Sequence, residues 1–256
     1  MRKIFLFVFT MFMSQLTFAQ RHEIGIFAGG ANVIGDVGKG NYFNPFPVRT
    51  GKTDFFLPIS IGGLYRFNIN PQMGFRANLS YSRVGAYDSH SEELYKKDRR
   101  KSFSNNIVEG SIVFEYNFFN INDDVQNANS PYIFFGLGAF SAKEKNYDYD
   151  AATNVITEKG KYKTNLSIPF GIGYKIKFNY NWILGFETGF RYTNVDYIDY
   201  NVGKFSDNFI KGINDGNLSK DEYNKRIWGN TSNKDWYVLS GITLTYSFGR
   251  PACYCD

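Results

Sequence analysis

Near its C-terminus, between residues 236 and 248, the sequence alternates between two kinds of position at every second residue. One set of positions is largely apolar with aromatic ends, and the set between them is largely small or hydroxylic. The first set is Trp236, Val238, Ser240, Ile242, Leu244, Tyr246 and Phe248. A run of about ten or more residues with period two and no proline is long for a strand of a globular domain. It suits a strand that crosses a bilayer obliquely.

Such a strand cannot stand alone in lipid, because an open edge leaves backbone groups without hydrogen-bond partners. We therefore expect the last strand to pair with the first in a closed β-barrel. The composition agrees with this expectation. Aromatic residues make up 19% of the chain, yet the mean hydropathy is only -0.35, and no apolar run of about 18 residues follows residue 20. This combination excludes a helical membrane protein.

The N-terminus has the pattern of a secretory signal peptide. Arg2 and Lys3 precede an apolar run of about ten residues, and the small residue Ala19 stands before Gln20. We expect cleavage after Ala19, and no cysteine is close enough for a lipid anchor. The predicted organisation is a signal peptide at 1–19, an outer-membrane barrel at 20–249 and a periplasmic tail at 250–256.

Alternation and turn residues predict about eight strands in the mature chain. They cover residues 22–33, 55–68, 75–82, 108–118, 132–141, 166–178, 182–193 and 236–248. Connections after the first, third, fifth and seventh strands are long, including a polar stretch at 143–161, and the others are shorter. The predicted fold is all-β, an eight-stranded antiparallel transmembrane barrel with long extracellular loops, short periplasmic turns and periplasmic termini. A soluble all-β domain has no reason to sort its loops in this way.

The inward positions of the predicted strands carry charges of both signs. An eight-stranded barrel is just wide enough for side chains to fill it, and unpaired charges inside it would be costly. We therefore expect an ion-paired network rather than a pore. An acid/base pair of Glu109 and Glu115 is the alternative interpretation. The predicted interior network comprises Arg66, Arg76, Glu109, Glu115, Lys175, Glu187 and Arg191.

No other motif predicts chemistry. The sequence has two histidines, His22 and His90, which fall at opposite ends of the predicted barrel, so a triad is not expected. Residues 214–222 resemble half of an EF-hand, but Lys211 and Ile213 occupy the first and third ligand positions and cannot bind Ca²⁺. A capping box at 219–222 predicts a short helix at 220–227 instead. We expect no enzyme activity, no cofactor and no metal.

The charge balance argues against a nucleic-acid partner. The formal net charge of +5 falls to +3 when Arg2 and Lys3 leave with the signal peptide. The one basic cluster, at 96–101, is expected in a solvated loop, with contact to anionic lipopolysaccharide as the alternative.

The tail contains both cysteines of the chain, Cys253 and Cys255, after a proline that ends the last strand. A disulfide between residues two apart would be strained, and two ligands make an incomplete metal site. Two interpretations remain, a disulfide to a partner protein and a tail without such a bond.

The order of several short segments resembles the PorG-like outer-membrane barrels of Bacteroidota over nearly the whole mature chain. The matching segments are Ala19-Gln20, the run from Glu23 to Asp36, Gly74-Phe75-Arg76-Ala77, Gly189-Phe190-Arg191-Tyr192-Thr193 and Asp196-Tyr197-Ile198-Asp199. None of them is a catalytic signature.

The resemblance implies a component of the type IX secretion system, which is linked to gliding motility. Barrels of this kind are thought to anchor a periplasmic ring, made of a lipoprotein of the PorK/GldK type and its PorN/GldN-type partner, to the outer membrane. Cys253 and Cys255 would then bond the barrel to the ring. The alternative is a generic barrel like OmpA or OmpX, which binds a ligand or surface partner through its extracellular loops.

Overall fold

The structure, a computed structural model, describes residues 21–38, 58–88, 91–92, 94, 102–121, 127–200, 204–224 and 234–248. The predicted signal peptide, the basic cluster, His90, Cys253 and Cys255 lie outside these residues. The strands are β1 (Arg21–Ile34), β2 (Ile59–Asn68), β3 (Met73–Tyr87), β4 (Ser102–Asn117), β5 (Asn129–Asp150), β6 (Val155–Lys177), β7 (Trp182–Thr193), β8 (Lys204–Phe205) and β9 (Trp236–Phe248). The helices are α1 (Asp207–Asn214) and α2 (Lys220–Asn224).

Eight of the strands form a closed antiparallel ring. Strands β1 to β7 pair in sequence order, and β9 pairs with both β7 and β1. The closing pair runs from His22 opposite Phe248 to Ile34 opposite Trp236. No barrel strand is left with a wholly open edge, so the predicted eight-stranded barrel and its closure by the last strand are confirmed.

The outer face of the ring is apolar and exposed. Ile112 and Leu166, for example, are 64% and 76% accessible, whereas their sequence neighbours Val113 and Ser167 point inward and are buried. Other exposed members are Ile24, Ile26, Ile61, Phe75, Leu79, Val108, Phe135, Leu137, Ile168, Ile172, Phe186 and Ile242. A continuous apolar surface of this size is incompatible with water and suits contact with lipid.

Aromatic pairs mark the two limits of this apolar band. Trp182 packs on Tyr246 at 5.2 Å near one rim, and Tyr192 packs on Trp236 at 5.0 Å near the other. Tyr192 lies ten positions after Trp182 along β7, which is about 33 Å of strand. A strand tilt of about 40° reduces this distance to a height of ~25 Å, the height of the apolar band in membrane barrels.

The two rims of the barrel differ in their connections. At the rim where β1 begins and β9 ends, β2 and β3 are joined by residues 69–72, and β6 and β7 by residues 178–181. Asn70 shapes the first turn, because its Oδ1 accepts hydrogen bonds from the backbone N–H of Gln72 and Met73 at 2.9 and 2.7 Å. We call this rim the short-turn end and the opposite rim the long-loop end.

The prediction of a polar connection at 143–161 is wrong. These residues continue β5 and β6 well past the ring as a paired hairpin, closed by a turn at 151–154. Most residues of this hairpin are polar, because it projects beyond the apolar band and has no lipid-facing side. The alternation of Tyr147 and Tyr149 with Asn146, Asp148 and Asp150 is the short signal that β5 continues here.

A small folded segment packs on the projecting hairpin. Strand β8 pairs in parallel with β5, and α1 follows directly, capped by the Ser206 hydroxyl, which accepts from the Phe209 N–H at 3.1 Å. Helix α1 was not predicted, whereas α2 lies within the predicted helix at 220–227. We call residues 143–165 and 204–224 together the crown. In the described part of the chain, no helix is long and apolar enough to cross a membrane.

Candidate functional site

Glu115 is the centre of a buried charged network near the short-turn end. Its carboxylate accepts a hydrogen bond from Arg66 Nε at 2.7 Å and one from Lys175 Nζ at 2.6 Å. Arg76 Nε lies 3.0 Å from its other oxygen as an ion pair without a hydrogen bond. These side chains come from β2, β3, β4 and β6, and all are essentially inaccessible to solvent. The network therefore links strands on different sides of the ring.

Two further carboxylates complete the network. Glu23 pairs with Arg66 and accepts from Asn68 Nδ2 at 2.8 Å. Glu187 accepts from Arg76 at 2.6 Å and from the Tyr132 hydroxyl at 2.5 Å.

The network thus joins three cations to three carboxylates and is neutral as a whole. A balanced and hydrogen-bonded set is the form in which charges are tolerated in a dry interior, while removal of one member leaves a buried charge unpaired.

A second charged group lies next to the first. Arg191 Nε is 3.4 Å from Glu109 Oε2, and the Tyr237 hydroxyl donates a hydrogen bond to the same oxygen. The structure therefore divides the seven predicted interior residues between two groups, with Glu109 and Arg191 in this one and the other five around Glu115. Since each glutamate is held by its own cation, the geometry does not support an acid/base pair of Glu109 and Glu115.

Sequence analysis missed Glu23, Tyr132 and Tyr237. Glu23 and Phe27 both point to the inside of the barrel. Ile24 and Ile26, which alternate with them in β1, point outward. The alternation of β1 therefore contained the signal for Glu23. Alternation gave no such signal for the two tyrosines. It predicts that a side chain points inward, but not whether an inward tyrosine hydrogen-bonds to a carboxylate or only packs.

Above the charged groups, toward the long-loop end, the interior is apolar. A segment after β7, residues 195–200, closes this apolar part of the interior. Its Ile198 side chain is fully buried, and Tyr197 and Tyr200 are nearly so. The strand residues packed with them are Phe27, Ala31, Val33, Val84, Phe103, Ile107, Phe140, Ala142, Tyr237 and Leu239. We call residues 195–200 the plug segment.

Specific hydrogen bonds hold the plug segment. Asn105 Nδ2 donates to the Ile198 carbonyl and to the Lys143 carbonyl, both at 2.9 Å. The Tyr200 hydroxyl donates to the Ser104 carbonyl at 2.9 Å, and the Ile198 N–H donates to Asp235 Oδ2 at 2.8 Å. The segment is thus tied to the start of β4 and to the residue before β9.

Acidic side chains gather beside the plug segment. Burial, together with the nearby charges of Asp199 and Asp36, raises the pKa of Asp196 to about 7. Burial and the charge of Asp199 also raise the pKa of Asp235 well above its usual range. Within the described residues, no group of three or more His, Cys, Asp or Glu side chains is arranged to hold a metal ion.

His22 and Asp88 lie at opposite ends of the barrel, and each is engaged in other contacts. His22 Nδ1 lies 2.7 Å from the Tyr65 hydroxyl at the short-turn end, and the His22 ring stacks on Phe248 at 5.8 Å. Asp88 Oδ1 accepts from the Gly38 N–H at 2.9 Å at the other end.

The crown has its own small core. Tyr147, Tyr149, Phe209 and Leu218 are buried together, and Phe205 stacks on Phe209 at 4.8 Å. The crown is therefore a packed surface that projects from the long-loop end.

A family model described as "Domain of unknown function (DUF6089)" matches residues 2–256. A search of curated proteins finds no match. Among solved structures, the chain is similar to the N-terminal β-barrel domain of OprF from Pseudomonas aeruginosa, with 11% identity over 90% of this chain and 98% of that chain at a TM-score of 0.41.

It is also similar to Ail of Yersinia pestis, with 12% identity over 90% and 99% of the two chains at a TM-score of 0.42. A third is OprG of Pseudomonas aeruginosa, with 8% identity over 90% and 96% at 0.43. The fold described above rests on the strand pairing of this chain itself.

Proposed function

The chain belongs to the DUF6089 family, and we propose that it is a sealed, non-enzymatic barrel of the outer membrane that binds a surface partner through its crown. The observation that carries the proposal is the exposed apolar band, with an aromatic pair at each of its two limits, around an interior filled with side chains. A band of this height places the ring in a bilayer. Because the interior is filled, we assign binding to the crown, which among the described residues projects beyond the ring.

The proposed orientation puts the crown outside the cell and the short-turn end in the periplasm. The connection lengths support it. The turns at 69–72 and 178–181 have four residues each, whereas at the other rim residues 35–58 separate β1 from β2 and residues 194–235 separate β7 from β9. Membrane barrels have short periplasmic turns and longer external loops. A binding role for the crown is supported by its packed aromatic core, since a preorganised surface loses less entropy on binding than a flexible loop.

The experiment compares protease sites inserted at the two rims. One variant carries the site in the turn at 151–154 of the crown, and the matched control carries it in the turn at 69–72. Intact cells treated with protease should cleave the first variant and spare the second, and both should be cleaved after lysis. Unheated samples of both should migrate on gels as folded barrels. Cleavage of the 69–72 site alone in intact cells would contradict the proposed orientation.

A second candidate function is the one that the PorG-like segments imply, the attachment of a periplasmic type IX secretion ring. One geometric observation supports it: β9 ends at the short-turn end, the rim that we place in the periplasm, and Cys253 and Cys255 come after β9 in the sequence. The partners would be the ring lipoprotein of the PorK/GldK type and its PorN/GldN-type partner.

Purification from native outer membrane under thiol-blocking conditions tests this candidate. A reducible adduct that contains the ring lipoprotein, and that disappears in the Cys253→Ser, Cys255→Ser double variant, would support ring attachment. Recovery of a free barrel from both forms would contradict it and would leave the crown as the binding surface.

A further inference from the structure

The projecting β5–β6 hairpin has two edges that the chain treats differently. The pairing of β5 with β4 ends at Ala142, and farther along the same edge β8 pairs with Asn146 and Tyr147. The pairing of β6 with β7 begins only at Ser167. Among the described residues, no strand pairs with β6 on that side from Val155 to Leu166. Within the described residues, one edge of the hairpin is therefore paired at Asn146 and Tyr147, and the other is open.

The open edge is accessible as well as unpaired. Val155 and Tyr162 are 49% and 57% exposed, and every residue between them except Ile156 is exposed too. From residue 163 onward the edge is approached by the plug segment, since Tyr197 hydrogen-bonds to Asn165 at 2.5 Å and to the Lys163 carbonyl at 3.4 Å. The free part is therefore residues 155–162, which we call the β6 edge.

We propose that the β6 edge binds an extended, acidic segment of a partner protein as an additional β-strand. This inference rests on the proposed function and names how the crown would bind its partner. An exposed strand edge offers a row of backbone donors and acceptors to an incoming strand, which is how several peptide-binding domains take their ligands.

The charges of the edge select an acidic partner. Glu158 is already paired with Lys145 at 2.7 Å, and Lys163 with Glu144 at 2.7 Å. Lys159 and Lys161 have no such partner among the described residues and point to the same side of β6. An incoming strand with carboxylates at every second position would place them opposite these two ammonium groups.

A second copy of this chain does not fit the same edge. Two β6 edges side by side would bring Lys159 and Lys161 of one copy against the same lysines of the other. Like charges in neighbouring strands repel, so the lysines disfavour self-pairing and edge-to-edge aggregation.

The edge is also held in a fixed conformation before any partner arrives. It pairs with β5 along its whole length, from Asp150 opposite Val155 to Lys143 opposite Tyr162. The turn is fixed by Asp150, whose carboxylate accepts from the Ala152 N–H and the Thr153 hydroxyl, both at 2.9 Å. A preformed edge costs little conformational entropy on binding.

The experiment uses the full chain in lipid nanodiscs and two acetylated peptides of about ten residues, a common upper length for strands. One peptide alternates Glu with Thr, and the other has Lys in place of Glu. Binding is followed by fluorescence anisotropy and by backbone hydrogen exchange. The acidic peptide should bind saturably and slow exchange at every second amide of the β6 edge, because successive N–H groups of a strand point to opposite edges. The basic peptide should do neither.

Charge reversal provides the matched comparison. The Lys159→Glu, Lys161→Glu variant should weaken binding of the acidic peptide by about tenfold or more, because attraction becomes repulsion. The Lys211→Glu, Lys220→Glu variant changes two exposed lysines of the crown helices by the same charge and should bind as the unaltered protein does. Equal loss in both variants would mean general electrostatic attraction and would overturn the inference.

Two other outcomes would also overturn it. If neither peptide slows exchange at residues 155–162, the lysines only protect the edge from pairing. If vesicles containing lipopolysaccharide bind in a manner that depends on Lys159 and Lys161 and leave exchange unchanged, these lysines contact lipid headgroups. Protease cleavage at the 151–154 turn in intact cells distinguishes a failure of this inference from a failure of the proposed function. If the turn is cleaved, only this inference fails. If it is not cleaved, the proposed function fails first.

Discussion

The barrel interior is filled with charged side chains near the short-turn end and with apolar side chains near the long-loop end. The charged part is built from strand residues alone, whereas the apolar part also needs the plug segment, which belongs to a loop. Charged groups in a dry interior must all be present for any to be tolerated. Apolar groups contribute in proportion to the area that each one buries. The two ends should therefore respond differently to the loss of one side chain.

The largest effect is expected for Glu115→Ala. The change leaves Arg66, Arg76 and Lys175 around an empty position, and loss of one partner of a buried ion pair costs about 3–5 kcal/mol. Urea unfolding in lipid or detergent measures it. The control is Glu158→Ala, which removes a partly exposed ion pair of the crown and should cost less than about 1 kcal/mol. Equal unfolding free energies of the two variants would show that the network does not stabilise the barrel.

A somewhat smaller effect is expected for Ile198→Ala in the plug segment. The side chain is fully buried in the apolar layer, and its truncation should cost about 2–4 kcal/mol. The matched change Ile210→Ala, at a position 40% exposed on α1, should cost less than about 1 kcal/mol. If Ile198→Ala unfolds at the same urea concentration as the unaltered protein, the plug segment is not part of the core.

The difference between the two ends also decides how much the sequence could predict. Strand alternation assigned Arg66, Arg76 and Glu115 to the interior, because a side chain of a barrel strand has only two sides to face. Alternation carries no information about where a loop lies, so the burial of Ile198 could not be derived. The β5–β6 extension was missed for a different reason: outside the lipid most of its residues are polar, and the alternation around Tyr147 and Tyr149 is short.

A local effect of about 1 kcal/mol is expected for Ser206→Ala. The hydroxyl caps α1 and also donates to Asp148 at 2.5 Å, so its loss should loosen the crown helix. Hydrogen exchange should quicken in residues 207–214 and stay unchanged in the barrel strands. Faster exchange throughout the barrel would mean that the crown and the ring unfold as one unit.

The smallest effect is a pH dependence confined to the plug segment. Because folding raises the pKa of Asp196 to about 7 and that of Asp235 well above its usual range, the folded state favours their protonated forms. This stabilisation is present at low pH and is lost as the pH rises through about 7. Asp36, Asp199 and Lys234 are the other charged groups of this cluster.

Exchange at residues 195–200, corrected for intrinsic rates, should therefore quicken between pH 5 and pH 8, a range that spans the raised pKa of about 7. The turn at 151–154 is the internal control, because its hydrogen bonds lower the pKa of Asp150. Asp196→Asn should flatten the response of the plug segment. A response that Asp196→Asn leaves unchanged would exclude this carboxylate as its source.

The charged and apolar layers together seal the barrel. Planar-bilayer recording of the purified protein tests this seal directly. The filled interior predicts no stepwise ion conductance from the folded protein, at neutral pH and at moderate voltage. Regular conductance steps from a preparation that migrates as a folded barrel would show an open path through the ring and would contradict the claim.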